Sequence, residues 1–247
     1  MCIFSDIHLA NAITTGLTTR RVQRLVLDFE EAMWRAAAVV LPGVELKGCA
    51  FHFTQALWRH IQENGLQRAY TTDDGTYKFL RRVMALSYLP AQNIPGVFRR
   101  LERECTNAAI TLFLGYVRRT WINSYVWSPA TWSVYKLSIR TNNDLEGWHN
   151  RLNRLGRPNM NFYMLVTLLY DGSCLARTQV RLVSDDKLTR LQNKAARTTQ
   201  SKIHKLWTQY EEGARTLYSF SKLRHGCSDP RPPEHSNPEH SNPPGLV

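Results

Sequence analysis

Short apolar runs open the chain and long stretches of helical periodicity follow. Val22 to Leu27 predicts a short buried strand that runs into Asp28. Phe29, Ala32, Met33, Ala36 and Val40 then share one helical face, and Pro42-Gly43 ends that helix. Val44 to Phe51 predicts a second strand. Residues 53–64 predict a helix that stops at Asn64-Gly65-Leu66, a left-handed cap signal. From about 70 to 135 the pattern is helical only. One helix covers roughly 76–89 and stops before Pro90, and another opens at Pro95. A third, about 107–124, carries Ile110, Phe113, Leu114, Val117 and Trp121 on one side. Arg140 to Leu155 predicts an amphipathic helix, and residues 160–184 and 186–224 predict two long ones. No repeat of solenoid period is present. The order of strand, helix, strand and long helical series predicts an α+β, mostly helical fold.

Composition adds a partner. The 247 residues are 43% hydrophobic and 21% charged, which excludes a wholly disordered chain. Lys plus Arg number 32 against 20 Asp plus Glu, for a formal charge of +12. Such a balance favours a polyanion, either nucleic acid or an anionic membrane. The best apolar run, Phe162 to Tyr170, is half of what a spanning helix needs, so no membrane partner is expected. Asp6 and His8 interrupt the N-terminal apolar residues, so no signal peptide and no secretion are expected. The five cysteines (Cys2, Cys49, Cys105, Cys174, Cys227) are odd in number and scattered, which suits a reducing compartment. Pro230 to Val247 holds six of the eleven prolines and repeats Pro-Glu-His-Ser-Asn, a composition expected to be disordered.

Three features could carry chemistry. Asp28 stands at the C-terminal end of a predicted strand, where α/β sheets commonly place ligands. It also begins an Asp-x-x-Glu capping box with Glu31. On a helix through Thr141–Asn150, Asn143, Glu146, Asn150 and Asn153 share one stripe, opposite Leu145, Trp148, Leu152 and Leu155. The competing reading is again a cap, with Asn143 at the N-cap and Glu146 three residues on. Cys49-Ala-Phe-His52 leaves the second strand just before a helix. Two zinc-type ligands fall short of the four that a structural site uses, and no second pair has suitable spacing, so no zinc is expected.

Residues 177–224 hold eleven Lys/Arg against four acids. Lys187, Arg190, Lys194 and Arg197 recur at three- and four-residue steps and so line one helical face. That face is either merely solvated or a contact for phosphate backbone. No zinc finger, RRM signature or leucine zipper is present to read base sequence.

Taken in order, these segments resemble the transposases of Mutator-like elements. The resemblance rests on Leu27-Asp28-Phe29-Glu30, Gly48-Cys49-Ala50-Phe51-His52-Phe53, Gly65-Leu66 with Tyr70, and Arg140-Thr141-Asn142-Asn143 through Glu146 to His149-Asn150. It covers roughly residues 22–170. It implies a partial RNase H-like DDE core over 22–160 with an all-helical insertion at about 66–135. A poorly defined segment at 1–21 precedes this core. A C-terminal helical region at 161–226 with its basic helices and a Pro-rich tail at 227–247 follow it.

The resemblance makes Asp28 the second catalytic aspartate and Glu146 the final glutamate, both as metal ligands. It makes Cys49 and His52 the family's Cys-x-x-His, and Asn143, His149 and Asn150 supporting residues. The cofactor implied is Mg²⁺ or Mn²⁺, bound as a pair by converging carboxylates for phosphoryl transfer. The partners implied are DNA, contacted mostly through phosphates, and a second copy of the chain; the location implied is nuclear. The family's first aspartate lies on a strand upstream of the second, yet Asp6 is the only acid among the 27 residues before Asp28. This chain alone is therefore expected to be the C-terminal part of a transposase core with little or no strand transfer. The alternative is a non-catalytic DNA- or protein-binding module of transposon origin.

Overall fold

The computed structural model describes residues 23–141, 147, 150–151, 153–156, 160–184, 194–214 and 216. Strand β1 (Arg24–Leu27) pairs in parallel with β2 (Glu45–Gly48), in the register Arg24↔Glu45 through Leu27↔Gly48. Helix α1 (Glu31–Val40) joins them, as a parallel pair requires. Among the described residues the sheet has these two strands.

The second strand is shorter than the predicted 44–51, and α2 (Ala50–Glu63) begins three residues earlier than expected. The hydrogen bonds give the reason. Cys49 N–H still donates to Leu27 O at 2.8 Å, but Ala50 N–H turns away to Arg140 O at 2.9 Å. The ladder is therefore lost at Ala50.

The face predicted for α1 is also corrected. Trp34 and Ala37 are its buried residues, while Ala32 and Ala36 are exposed and Val40 is 45% exposed. A tryptophan buries far more area than an alanine, so Trp34 weighs most in which side turns inward. Its indole Nε1 donates to Asp28 O at 2.6 Å and its ring stacks on Phe29.

The helical body follows the predicted order with adjustments. Gly65 at φ +67 ends α2, as its sequence signal required. After it come α3 (Gln67–Thr72) and α4 (Asp74–Met84), the latter capped by Asp73 through Gly75 N–H and Thr76 N–H. The helix predicted to reach residue 89 tightens into a 3₁₀ turn at Ala85–Tyr88. Helices α5 (Ile94–Glu104) and α6 (Ala108–Val117) follow, and α6 widens into a π turn at Arg118–Ile122. A short α7 (Pro129–Trp132) closes this part. Ile110, Phe113, Leu114, Val117 and Trp121, the face predicted for 107–124, are all buried. They join Phe53, Leu57, Leu80, Met84, Phe98 and Trp132 in one core.

Two long helices complete the described chain, α8 (Phe162–Ser184) and α9 (Lys194–Glu211). Ile203 and Trp207 of α9 enter the same core, and Trp207 Nε1 donates to Tyr88 O at 3.0 Å. The helix predicted over 186–224 is interrupted: residues 212–213 turn, with Gly213 at φ +72. Of the helix predicted over 140–155, residues 147, 150, 151 and 153–155 are helical, whereas Arg140 and Thr141 are not. Residues 142–146, 148, 149 and 152, and the tail at 227–247, lie outside the described residues. Among the described residues no helix is long and apolar enough to cross a membrane. The molecule is mostly helical, with a small parallel β unit at one end of its chain order.

Candidate functional site

The last rung of the β pair positions the site. Because Leu27 lies opposite Gly48, the next residue of each strand, Asp28 and Cys49, emerges side by side at the same sheet end. Cys49 is the N-cap residue of α2, and its carbonyl accepts from Phe53 N–H at 3.0 Å. His52 lies in the first turn of that helix and reaches back to the strand end. Its Nδ1 stands 2.8 Å from Asp28 Oδ1, with the two side chains 23% and 30% exposed. Cys49 is fully buried. The ligand atoms of Asp28, Cys49 and His52 all lie within 4.8 Å of one another.

The wall behind the site is aromatic. Phe29 meets Trp121 and Trp127 edge-on, with ring centroids 4.7 and 5.8 Å apart. Phe53, one residue after His52, stacks on Trp132 and meets Trp121 edge-on. Gly48 is required here, because a Cβ at that position would enter the Phe29 ring. The glycine of the Gly-Cys-x-Phe-His segment thus lets the residue after Asp28 close over β2.

Electrostatics bind the three side chains together. Burial works against a charged His52, but hydrogen bonds to Asp28 and Cys49 outweigh it and push its pKa up to about 10. In the metal-free protein at neutral pH His52 is therefore a cation facing the Asp28 carboxylate, and a metal ion bound to its imidazole would have to displace that proton.

Asp28 does not act as a helix cap. The N-cap residue of α1 is Glu30, with no side-chain cap hydrogen bond, so the Asp28–Glu31 capping box is not formed. The Asp28 carboxylate meets His52 instead, and its backbone carbonyl takes the Trp34 indole.

Three sequence segments converge. Ala50 N–H donates to the carbonyl of Arg140, so the start of the Arg-Thr-Asn-Asn segment touches the first turn of α2. The Arg140 guanidinium lies over Tyr88 and Trp207, 5.7 and 5.9 Å from the ring centroids. Sequence reasoning missed Trp34, Phe29 and Arg140 as the parts that hold this corner. Asn143, Glu146 and His149 lie outside the described residues, and Asn150 is helical and exposed. Of the basic stripe, Lys187 and Arg190 lie outside the described residues. Lys194 and Arg197 fall in α9, with their side chains outside the description.

The described donor set offers a hard cation poor ligands. Mg²⁺ and Mn²⁺ favour oxygen, and Asp28 is the one carboxylate in a cluster completed by sulfur and nitrogen. These residues by themselves do not fit a magnesium pair. Comparison with protein families, with curated proteins and with solved structures finds no match to this chain.

Proposed function

We infer that the chain is a transposase-derived protein of the Mutator-like kind that engages DNA through its phosphates. The observation that supports this is the meeting of three separated segments. Leu27-Asp28, Gly48-Cys49 with His52, and Arg140 all contact one corner of the β unit. Those are the segments on which the resemblance rests, and a helical body lies between the second and the third. In a partial RNase H-like core, Asp28 and Glu146 would supply two of the carboxylates such an enzyme uses. The basic charge of +12 and the Lys/Arg excess over 177–224 support contact with a polyanion, and a nuclear location accords with both.

The test is a nicking and retention assay on supercoiled DNA with Mg²⁺ or Mn²⁺. The expected result is salt-sensitive retention of DNA, no nicking, and no change in retention for Asp28→Asn. Metal-dependent nicking that Asp28→Asn abolishes would instead make the chain a nuclease that acts through Asp28. Absence of retention at low salt would defeat the DNA-binding reading.

A further inference from the structure

We propose that Asp28, Cys49 and His52 form a site for a late first-row divalent cation of the zinc class, the strand end giving a carboxylate and the first turn of α2 a thiolate and an imidazole. This goes beyond the transposase reading and rests on the three side chains alone.

The donor chemistry selects the cation. Thiolate and imidazole suit zinc and its neighbours and are poor ligands for magnesium. A single carboxylate completes a three-residue set, which is what zinc uses when a fourth position is left for water. Spacing within the Cys49–His52 pair supplied two ligands; the parallel pairing of β1 with β2 brings the third from 21 residues earlier in the chain.

The geometry requires only small adjustments. Zinc bonds of about 2.0–2.3 Å in a tetrahedral arrangement hold neighbouring ligand atoms roughly 3.3–3.8 Å apart. The three donor atoms already lie within 4.8 Å of one another. The Asp28 Oδ1 to His52 Nδ1 separation of 2.8 Å would open by roughly half an ångström, a change that side-chain rotation provides. The mounts are rigid. Cys49 is held by the Leu27 carbonyl on one side and by its own N-cap position on the other. Behind Asp28, Trp34 fixes the backbone, the kind of outer support that orients a metal ligand.

The same three residue types also make a nucleophile, base and acid series. Burial decides against that use. Cys49 is 0% exposed, so its sulfur cannot reach an electrophilic carbon on a substrate. A bare cation brings no such bulk, and it has an approach past the partly exposed His52 and Asp28.

The test uses the full chain, stripped with chelator under reducing conditions and titrated with Co²⁺. The expected result is one equivalent bound, with a thiolate-to-cobalt charge-transfer band and the visible bands of a tetrahedral ion. Zn²⁺ should displace it and excess Mg²⁺ should not. Cys49→Ser should lose the charge-transfer band. His52→Gln should weaken Co²⁺ binding by more than about 100-fold, since outer-shell partners alone are worth 10–100-fold. Circular dichroism checks that both variants keep the fold. Co²⁺ bands that persist undiminished in both folded variants would assign the metal to other thiols and imidazoles and overturn the proposal. Nicking and DNA retention are separate readouts, so the transposase reading can fail while this one stands, and the reverse.

Discussion

The carboxylate of Asp28 and the imidazole of His52 meet at 2.8 Å across the end of a two-strand parallel sheet. Asp28 directly follows β1 and His52 lies in the first turn of α2, so the contact ties the end of the first strand to the helix that leaves the second. Both groups are under a third exposed, which limits screening by water. A hydrogen bond between charged groups in such a setting is worth about 1.5–3 kcal/mol. In chelator-treated protein, Asp28→Asn and His52→Gln should each destabilise. Urea unfolding of the two variants and the double variant should return a coupling of about 1–2 kcal/mol. Additive effects would mean that the pair contributes nothing as a pair.

Glycine substitutions should split by sign. At Gly48 a new Cβ would enter the Phe29 ring, which is itself pinned between Trp34, Trp121 and Trp127. Gly48→Ala should therefore cost about 1–3 kcal/mol, the range for overpacking a filled core. Gly96 lies in α5 with nothing within 4 Å of a built Cβ. Gly96→Ala should stabilise by up to about 1 kcal/mol through helix propensity. Thermal unfolding of the two variants, read against the parent, checks both directions.

The sequence made the helical series legible where apolar side chains recur cleanly, as in Ile110 through Trp121, and where glycine demands a positive φ, as at Gly65. It failed where a distant partner chose the outcome. Trp34 reoriented α1 because Asp28 offers it a carbonyl, and β2 stopped early because Arg140 captures the N–H of Ala50. Neither contact leaves a periodic trace. The site was half legible. Asp28 and the Cys49–His52 pair stood out separately, but spacing could not join residues on different elements. That took the strand register, which is a long-range property. The Asp28 capping box matched a local pattern and lost to a tertiary contact.

The junction of α9 with the body should respond to alkaline pH. Burial and the nearby Glu211 carboxylate push the Tyr135 hydroxyl up to about 12, and that hydroxyl donates to Glu211 at 3.2 Å. Lys136 pairs with the same carboxylate at 2.5 Å. A folded pKa raised above the usual ~10 of tyrosine means that the neutral phenol is favoured in the folded chain. Its contribution is complete below about pH 10 and disappears as pH climbs through about 12. The difference in Tm between the parent and Tyr135→Phe should be constant up to about pH 10 and then shrink. A difference that stays flat across that window would remove Tyr135 from the junction's energetics.

DNA affinity should report the number of phosphates neutralised rather than the base sequence. Binding through six Lys/Arg contacts gives a log-log salt slope of about −5, because each neutralised phosphate releases bound counterion. Replacing Lys187, Arg190, Lys194 and Arg197 together with glutamine would leave about two such contacts and bring the slope to about −2. The same loss should appear on unrelated DNA sequences, since phosphate contacts carry no base information. Fluorescence anisotropy over a salt series measures the slope directly. Asp28→Asn serves as the matched control, because it removes a charge from the candidate site and none from the basic stripe. An unchanged slope in the fourfold variant would mean that these residues form only a solvated face, and that the +12 charge acts elsewhere on the chain.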